Sequence, residues 1–260
     1  MIKNLKLRTL EGKKGLVIGV ANDKSIAYGC AKAFRLYGAD IALTYLNEKA
    51  KPFVAPLAKE LKAQIFEPLN VEVEGQMEAL FAKVRERWGR LDFALHSIAF
   101  APKQDLNGRV VDCSRQGFRT AMDVSCYSFI EMAHHAEPLM TDGGTLFTMS
   151  YFGAERVVEN YNIMGPVKAA LEATVRYLAA ELGPKGIRVH AISPGPVATR
   201  AASGIAHFDA LLNRAATKAP AGRLVTIEEV GIACAGLATD GAKLITGDRL
   251  YIDGGYHLMG

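Results

Sequence analysis

The sequence predicts an α/β protein built on one doubly wound parallel sheet of about seven strands, with helices on both faces. Short apolar runs of strand length alternate with longer helix-forming runs along the chain, as in successive parallel βαβ units. Residues 91–99 are almost continuously apolar, which indicates a strand buried on both faces. No repeat, linker or low-complexity tract divides the 260 residues. We therefore expect one domain over residues 1–260.

Composition and charge narrow the class of protein. Half of the residues are hydrophobic and 25 are glycine, so a large core can form. The formal charge of +4 comes from scattered basic residues, which argues against a nucleic-acid partner. The four cysteines are far apart and have no metal-site or disulfide-framework spacing, and no apolar run has the length of a membrane span or signal peptide. These features predict a reduced, cytoplasmic protein that needs neither a metal nor a membrane.

The elements follow in order along the chain. Strands are predicted at residues 14–20, 39–45, 64–71, 91–99, 145–150, 186–193 and 247–253. Helices are predicted after Gly29 up to Tyr37, at 49–62, 72–88 and 114–140, through Lys168 up to Gly183, and at 226–239, where Thr226 and Glu229 form a capping-box pattern. Residues 200–223 show no clear periodicity. A segment of that length inside a compact domain is typical of a lid or a binding loop.

Three residues between the fifth and sixth predicted strands have side chains that could take part in a reaction. Tyr151 should lie where a strand ends, and the spacing of seven between Tyr161 and Lys168 predicts that both lie on one face of the next helix. The carboxyl ends of parallel strands are where open α/β sheets hold ligands. A phenol near an ammonium can donate a proton or a hydrogen bond, and the cation is expected to lower the pKa of the tyrosine. The alternative is that Tyr161 and Lys168 are surface residues of an amphipathic helix.

The first predicted strand leads through a turn of small residues, from Gly19 to Gly29, into a helix. Such a turn lets a pyrophosphate approach the backbone and the helix N-terminus. The turn does not match the G-x-G-x-x-G motif, so a purely structural βα turn is the alternative. No acid or arginine stands at the very end of the second strand. Glu48, slightly further on, disfavours a 2′-phosphate, so NADH is favoured and NADPH is not excluded.

Several segments together resemble a known family. They are Gly19-Val-Ala with Ser25-Ile-Ala-Tyr-Gly, His96-Ser-Ile-Ala-Phe-Ala-Pro, Ser150-Tyr-x-Gly-Ala-Glu-Arg, Asn160-Tyr-Asn-x-Met-Gly-x-x-Lys, Val225-Thr-Ile-Glu-Glu-Val-Gly and Asp253-Gly-Gly. They resemble the short-chain dehydrogenase/reductase superfamily with its Rossmann-type sheet, and within it the bacterial NADH-dependent (type I) enoyl-[acyl-carrier-protein] reductases. Ordinary members of the superfamily have Gly-x-x-x-Gly-x-Gly, Asn-Ala-Gly and a Tyr-x-x-x-Lys preceded by a serine. This chain has Thr148 at that serine position and a Tyr-to-Lys spacing of seven.

The resemblance implies roles for individual residues. The implied catalytic residues are Tyr151, Tyr161 and Lys168, and Ala101 is implied to face the substrate. The implied cofactor contacts are Gly19, Ser25, Ile26, Leu46, Asn70, Val71, Ile98, Lys168, Val197, Ala198, Thr199, Arg200 and Ala201. Leu46, Asn70 and Ala99 stand where relatives often have Gln, Asp and Gly, which weakens the side-chain contacts to the adenosine half and tightens the pocket at Ala99.

The implied reaction is the NADH-dependent reduction of the trans-2 double bond of an enoyl thioester in fatty-acid elongation. The implied partners are the acyl carrier protein and three further copies of the chain in a homotetramer, and the loop at about 195–223 is implied to cover the acyl chain. Arg200 and Arg214 offer only weak support for carrier docking. Two alternatives are a carbonyl or hydroxy-type reductase of the same superfamily, and a regulatory cofactor-binding protein without turnover.

Overall fold

The computed structural model describes residues 9–197, 199 and 208–259, apart from the side chains of 208–210. Seven strands form one sheet in the order β3-β2-β1-β4-β5-β6-β7, and every neighbouring pair is parallel. The strands are β1 Lys14–Ile18, β2 Asp40–Tyr45, β3 Ile65–Pro68, β4 Phe93–His96, β5 Gly144–Met149, β6 Ile187–Pro194 and β7 Arg249–Ile252. The predicted doubly wound parallel sheet is therefore confirmed.

The helices lie between the strands in the chain. They are α1 Ile26–Leu36, α2 Lys51–Glu60, α3 Gln76–Trp88, α4 Lys103–Leu106, α5 Arg115–Met122, α6 Ser128–Ala136, α7 Met164–Leu182, α8 Phe208–Lys218 and α9 Ile227–Ala238. The capping box at Thr226 and Glu229 is present at the start of α9. Within the described parts of the chain, no helix has the length and hydropathy of a membrane span.

The core has two layers, one on each face of the sheet, because side chains along each strand point to alternate faces. Leu16 and Ile18 of β1 pack in one layer with α3, α6 and α7, whereas Val17 packs in the other with α1, α2 and α9. Successive side chains of a strand point to opposite faces, so one apolar strand supplies both layers. The central strands are accordingly buried along their whole length, as in β4 and β6.

Two helix predictions were wrong in detail. The predicted helix at 114–140 contains a π-helical turn, Asp123–Tyr127, between α5 and α6, followed by a 3-10 turn at Glu137–Leu139. The wider turn places the Ser125 hydroxyl against the backbone of Phe100, whose N–H lies 2.9 Å away. The segment 200–223, in which no helix was predicted, contains α8. Its Ala, Leu, Arg and Lys residues favour a helix. Its eleven residues are too few to show a clear apolar periodicity, and the residues on either side have no regular pattern.

The position of Tyr161 also differs from the prediction. Tyr161 precedes α7 rather than lying on it, because α7 begins at Met164. Asn160 and Asn162 on either side have φ of 63° and 44°, a left-handed conformation that ends any right-handed helix and that asparagine tolerates better than most residues. Tyr161 and Lys168 are therefore not two positions on one helical face.

Candidate active site

The first group of predicted cofactor residues lies at the switch point of the sheet, where β1 and β4 are neighbours although five elements separate them in the chain. Gly19 follows β1 with a φ of 100°. A Cβ at Gly19 would overlap the carbonyl oxygen of Ser97, and it would lie 3.3 Å from Cγ1 of Ile98. Only glycine fits this close approach without strain, so Gly19 and Ile98 form a backbone-lined surface at the carboxyl edge.

Ser25 and Ile26 lie at the N-terminus of α1. The Ser25 hydroxyl donates a 2.6 Å hydrogen bond to the carbonyl of Asn22, and it does not cap the helix. The first N–H groups of α1 thus have no side-chain cap. Free N–H groups at a helix N-terminus favour an anion such as a pyrophosphate.

The other predicted cofactor residues extend along the same edge of the sheet. Leu46 follows β2 with 53% of its surface exposed, and Asn70 and Val71 follow β3. Val197 and Thr199 follow β6 on the opposite side of the switch point. Ala198, Arg200 and Ala201 lie outside the described residues. Neither Leu46 nor Asn70 is near the tyrosines in strand order, as expected if they meet the distant adenosine half of a dinucleotide.

Tyr151 and Tyr161 come together after β5. Their rings contact each other edge to face, with centroids 4.9 Å apart and planes at 63°. Ala101 packs in the same small apolar cluster as Tyr161. The Tyr151 hydroxyl is buried and has no hydrogen-bond partner among the described residues. A buried hydroxyl without a partner is costly, so this one is suited to a partner supplied by a ligand.

Burial raises the pKa of both tyrosines above the ordinary value of 10.0. The pKa of Tyr161 is raised further by the neighbouring charges of Tyr151 and Glu172. The expectation that Lys168 lowers this pKa was therefore wrong, because desolvation of the phenolate is the largest cause of the shift and no lowering by the ammonium accompanies it. Both phenols therefore keep their protons at neutral pH and can donate hydrogen bonds to a ligand.

Lys168 lies on α7 with only 4% of its surface exposed. Its Nζ donates a 2.7 Å hydrogen bond to the carbonyl of Met149, the last residue of β5. Burial lowers the pKa of Lys168 to about 8, while Cys126 and Glu172 oppose that shift. The amine is mostly protonated at neutral pH and can offer its remaining hydrogens to a ligand.

His96 of β4 lies under the site. It is fully buried, with Nε2 at 2.8 Å from the Ser128 hydroxyl and Nδ1 at 3.3 Å from that of Thr148. Burial, with the charge of Lys168, lowers the pKa of His96 to about 3. His96 is thus a neutral structural support, and Thr148, at the position where ordinary superfamily members have serine, is used to hold it.

An ion-pair network beside the tyrosines was not predicted. Glu172, buried on α7, accepts hydrogen bonds from the Ser150 hydroxyl at 2.6 Å and from Arg249 Nη1 at 2.8 Å. Arg249 Nη2 also donates to Glu155 at 2.6 Å. Glu172 stands one helical turn after Lys168, and this spacing could have indicated that Glu172 lies near the site. Arg249 is 77 positions from Glu172, and nothing in the sequence pattern joins them.

Comparison with known proteins agrees with this geometry. A model of the family described as enoyl-(acyl carrier protein) reductase matches residues 19–257. The chain is 47% identical to the enoyl-[acyl-carrier-protein] reductase [NADH] 1 of Rhizobium meliloti over 96% of its own length and 92% of that protein.

Two solved structures have the same fold. The reductase of Anaplasma phagocytophilum in complex with NAD has a TM-score of 0.93 and 49% identity, over 97% of this chain and 96% of that one. The Bacillus cereus reductase with NADP+ and indole naphthyridinone has a TM-score of 0.95 and 42% identity, over 97% and 99%. The chain therefore belongs to the enoyl-(acyl carrier protein) reductase family.

Proposed function

We propose that this protein uses NADH to reduce the trans-2 double bond of enoyl thioesters, carried by the acyl carrier protein, in fatty-acid elongation. The observation that carries the proposal is the buried Tyr151 hydroxyl, which has no partner within the described structure and adjoins Tyr161 at the carboxyl end of β5. A pair of neutral phenols suits an oxygen that becomes negative during reaction. The relatives' names favour this reaction over carbonyl reduction or a non-catalytic role.

The residues at the carboxyl edge fit a dinucleotide. The glycine cradle at Gly19 and the uncapped N-terminus of α1 suit a pyrophosphate. Lys168, held at Met149, suits the hydroxyls of the nicotinamide ribose. NADH, when bound, supplies the hydride that adds to the β-carbon of the enoyl group.

The side chains of this protein orient and polarise the thioester. Tyr161 donates a hydrogen bond to the thioester oxygen, and this bond strengthens as negative charge develops there. Tyr151, whose hydroxyl has no partner among the described residues, positions the same group or relays the proton that the α-carbon takes up after hydride addition. The buried Lys168 ammonium keeps the local potential positive, which favours the charge on the oxygen.

The substrate and the assembly complete the proposal. Ala101 faces the acyl chain, and the loop at about 195–223, of which 198 and 200–207 lie outside the described residues, is proposed to cover it. Leu211 and Leu212 of α8 are partly exposed and suit an apolar tail. Arg214 on the exposed side of α8 offers a positive charge to the carrier protein. We propose a cytoplasmic location and a homotetramer from membership of the family.

Absorbance of reduced nicotinamide tests the proposed reaction. Purified protein is mixed with NADH or NADPH, and with crotonyl or 2-dodecenoyl thioester. We expect oxidation of NADH that depends on the enoyl thioester. Turnover of a ketone panel without turnover of the thioesters would place the protein among the carbonyl reductases. NADH binding with no turnover of thioester, carrier-bound substrate or ketone would support the non-catalytic alternative.

A further inference from the structure

Arg249 of β7 forms ion pairs with two segments of the site. Within the described structure, no other ion pair connects these two segments. One carboxylate, Glu155, follows the short 3-10 turn Phe152–Ala154 in the segment that connects Tyr151 to Tyr161. The other, Glu172, lies on α7 one turn beyond Lys168. One guanidinium therefore links residues 152–161, here called the tyrosine segment, to helix α7.

Helix α7 is anchored independently of Arg249. Lys168 donates to the carbonyl of Met149 at 2.7 Å, and Glu172 accepts from the neighbouring Ser150 at 2.6 Å. Two adjacent residues at the end of β5 thus hold two successive turns of α7. Loss of Arg249 would leave both hydrogen bonds, so Lys168 should stay in place.

The tyrosine segment packs on α7 through the buried Tyr161 ring, but few side-chain hydrogen bonds hold residues 152–161. Between Tyr151 and Tyr161 the regular structure is a single 3-10 turn, and Glu155 is held by Arg249 at 2.6 Å and by the Tyr251 hydroxyl at 2.6 Å. Both donors come from β7. Arginine presents its donors in a rigid planar fork, which fixes two carboxylates in one relative orientation better than the flexible ammonium of a lysine does.

We propose that Arg249 is a positioning residue, which holds the segment of Tyr151 and Tyr161 against the helix of Lys168 for reduction of the enoyl group. The expected effect on kcat rests on the proposed function. The structural part of the inference, the placement of residues 152–161, stands without it.

The first test is Arg249→Met, studied in the full-length protein. We expect kcat for the enoyl thioester to fall by about tenfold or more, since a misplacement of about 1 Å can cost a hundredfold, while the Kd for NADH stays at the wild-type value. In the cofactor-free protein, amide hydrogen exchange of residues 152–161 should accelerate. Unchanged kcat and unchanged exchange would overturn the inference.

Arg249→Met leaves Glu172 buried without its cation, which can impair folding. The double variant Arg249→Met/Glu172→Gln removes the stranded charge and should show the same faster exchange at 152–161. Arg249→Lys should restore part of kcat. Combining Arg249→Met with Glu155→Gln should add little to the loss of either variant alone, because both remove the Arg249–Glu155 contact; fully additive losses would contradict the inference.

Arg188 of β6 provides a matched control. It is also buried, and it donates to the carbonyls of Leu237 at 2.6 Å and Thr239 at 3.3 Å at the end of α9. Arg188→Met should lower the melting temperature and leave kcat and the exchange of 152–161 unchanged. A similar loss of kcat in Arg188→Met would show a general stability effect and overturn the role of Arg249. If the wild-type protein fails to reduce enoyl thioesters, the proposed function fails, and the exchange data still decide whether Arg249 holds the segment.

Discussion

At the residue scale, the protonation of Tyr161 decides how the site can act. Burial raises the pKa of the phenol, so we expect Tyr161 to donate a hydrogen bond rather than to serve as a base. Tyr161→Phe removes this donor and should reduce kcat by about 10²–10³-fold, the range for loss of one such donor. The Kd for NADH, from titration of its fluorescence, should not change. Wild-type kcat in this variant would exclude Tyr161 from the polarising role.

We propose two roles for Lys168, so its removal should change two quantities. The side chain is buried and bonded to Met149, and we expect it to bind the nicotinamide ribose. Lys168→Ala should lower kcat and also weaken NADH binding, measured by the same titration. Full activity together with unchanged NADH affinity would contradict the assignment.

His190 on β6 predicts a dependence of stability on pH. It is fully buried and stacks on Phe147, both ring nitrogens lack partners among the described residues, and burial lowers its pKa to about 4 from 6.5. As pH falls below 6.5, the unfolded chain binds the proton before the folded one does, so stability falls until the folded pKa is reached. At about pH 5 the loss from His190 is about 2 kcal/mol.

Urea unfolding at about pH 7 and about pH 5 tests this effect. His190→Leu should reduce the loss of unfolding free energy between the two pH values. His134 is exposed on α6 and meets water in both states, so His134→Leu should retain the wild-type loss. An equal pH dependence in His190→Leu and the wild type would show that His190 does not carry it.

At the scale of elements, helices α1 and α9 approach each other at two glycines. A Cβ on Gly231 would overlap the carbonyl oxygen of Gly29, and a Cβ on Gly29 would overlap that of Ile227. Gly231→Ala should therefore lower the free energy of unfolding by about 1–3 kcal/mol, the usual cost of overpacking. Because Gly29 belongs to α1, which begins at the proposed pyrophosphate site, NADH binding should also weaken.

Gly236 is the control in the same helix. A Cβ there meets no atom within 4 Å, so Gly236→Ala should raise stability by about 0.5–1 kcal/mol through helix propensity. Thermal unfolding of the two variants separates packing from propensity. Equal effects of the two substitutions would contradict the close approach of α1 and α9.

The elements that could be predicted from sequence are those whose signal is local. The seven strands follow from short apolar runs, and the start of α9 follows from the reciprocal bonding of Thr226 and Glu229. The π-helical turn at Asp123–Tyr127 could not be predicted, because it meets the backbone of Phe100 through a contact distant in sequence. The location of Tyr161 before α7 was missed because the backbone there depends on the positive φ of Asn160 and Asn162. The spacing of residues in the sequence does not reveal that conformation.

At the scale of the whole molecule, the sheet explains which site residues were predictable. Gly19, Ile98 and Tyr151 each follow a strand, and parallel strands bring such positions to one edge whatever their separation in sequence. Arg249 and Glu172 also meet, but through side chains on a strand and a helix. That contact depends on the packed arrangement, and no spacing in the sequence gives it. The sign of the pKa shift at Tyr161 likewise depends on burial.

The fate of the hydride tests the central claim most directly. NADH carrying deuterium at the transferred position is mixed with 2-dodecenoyl thioester and the purified protein, and the product is analysed by mass spectrometry. The account predicts a saturated thioester with one deuterium on the β-carbon. Deuterium on the former carbonyl carbon, in an aldehyde or alcohol product, would contradict it.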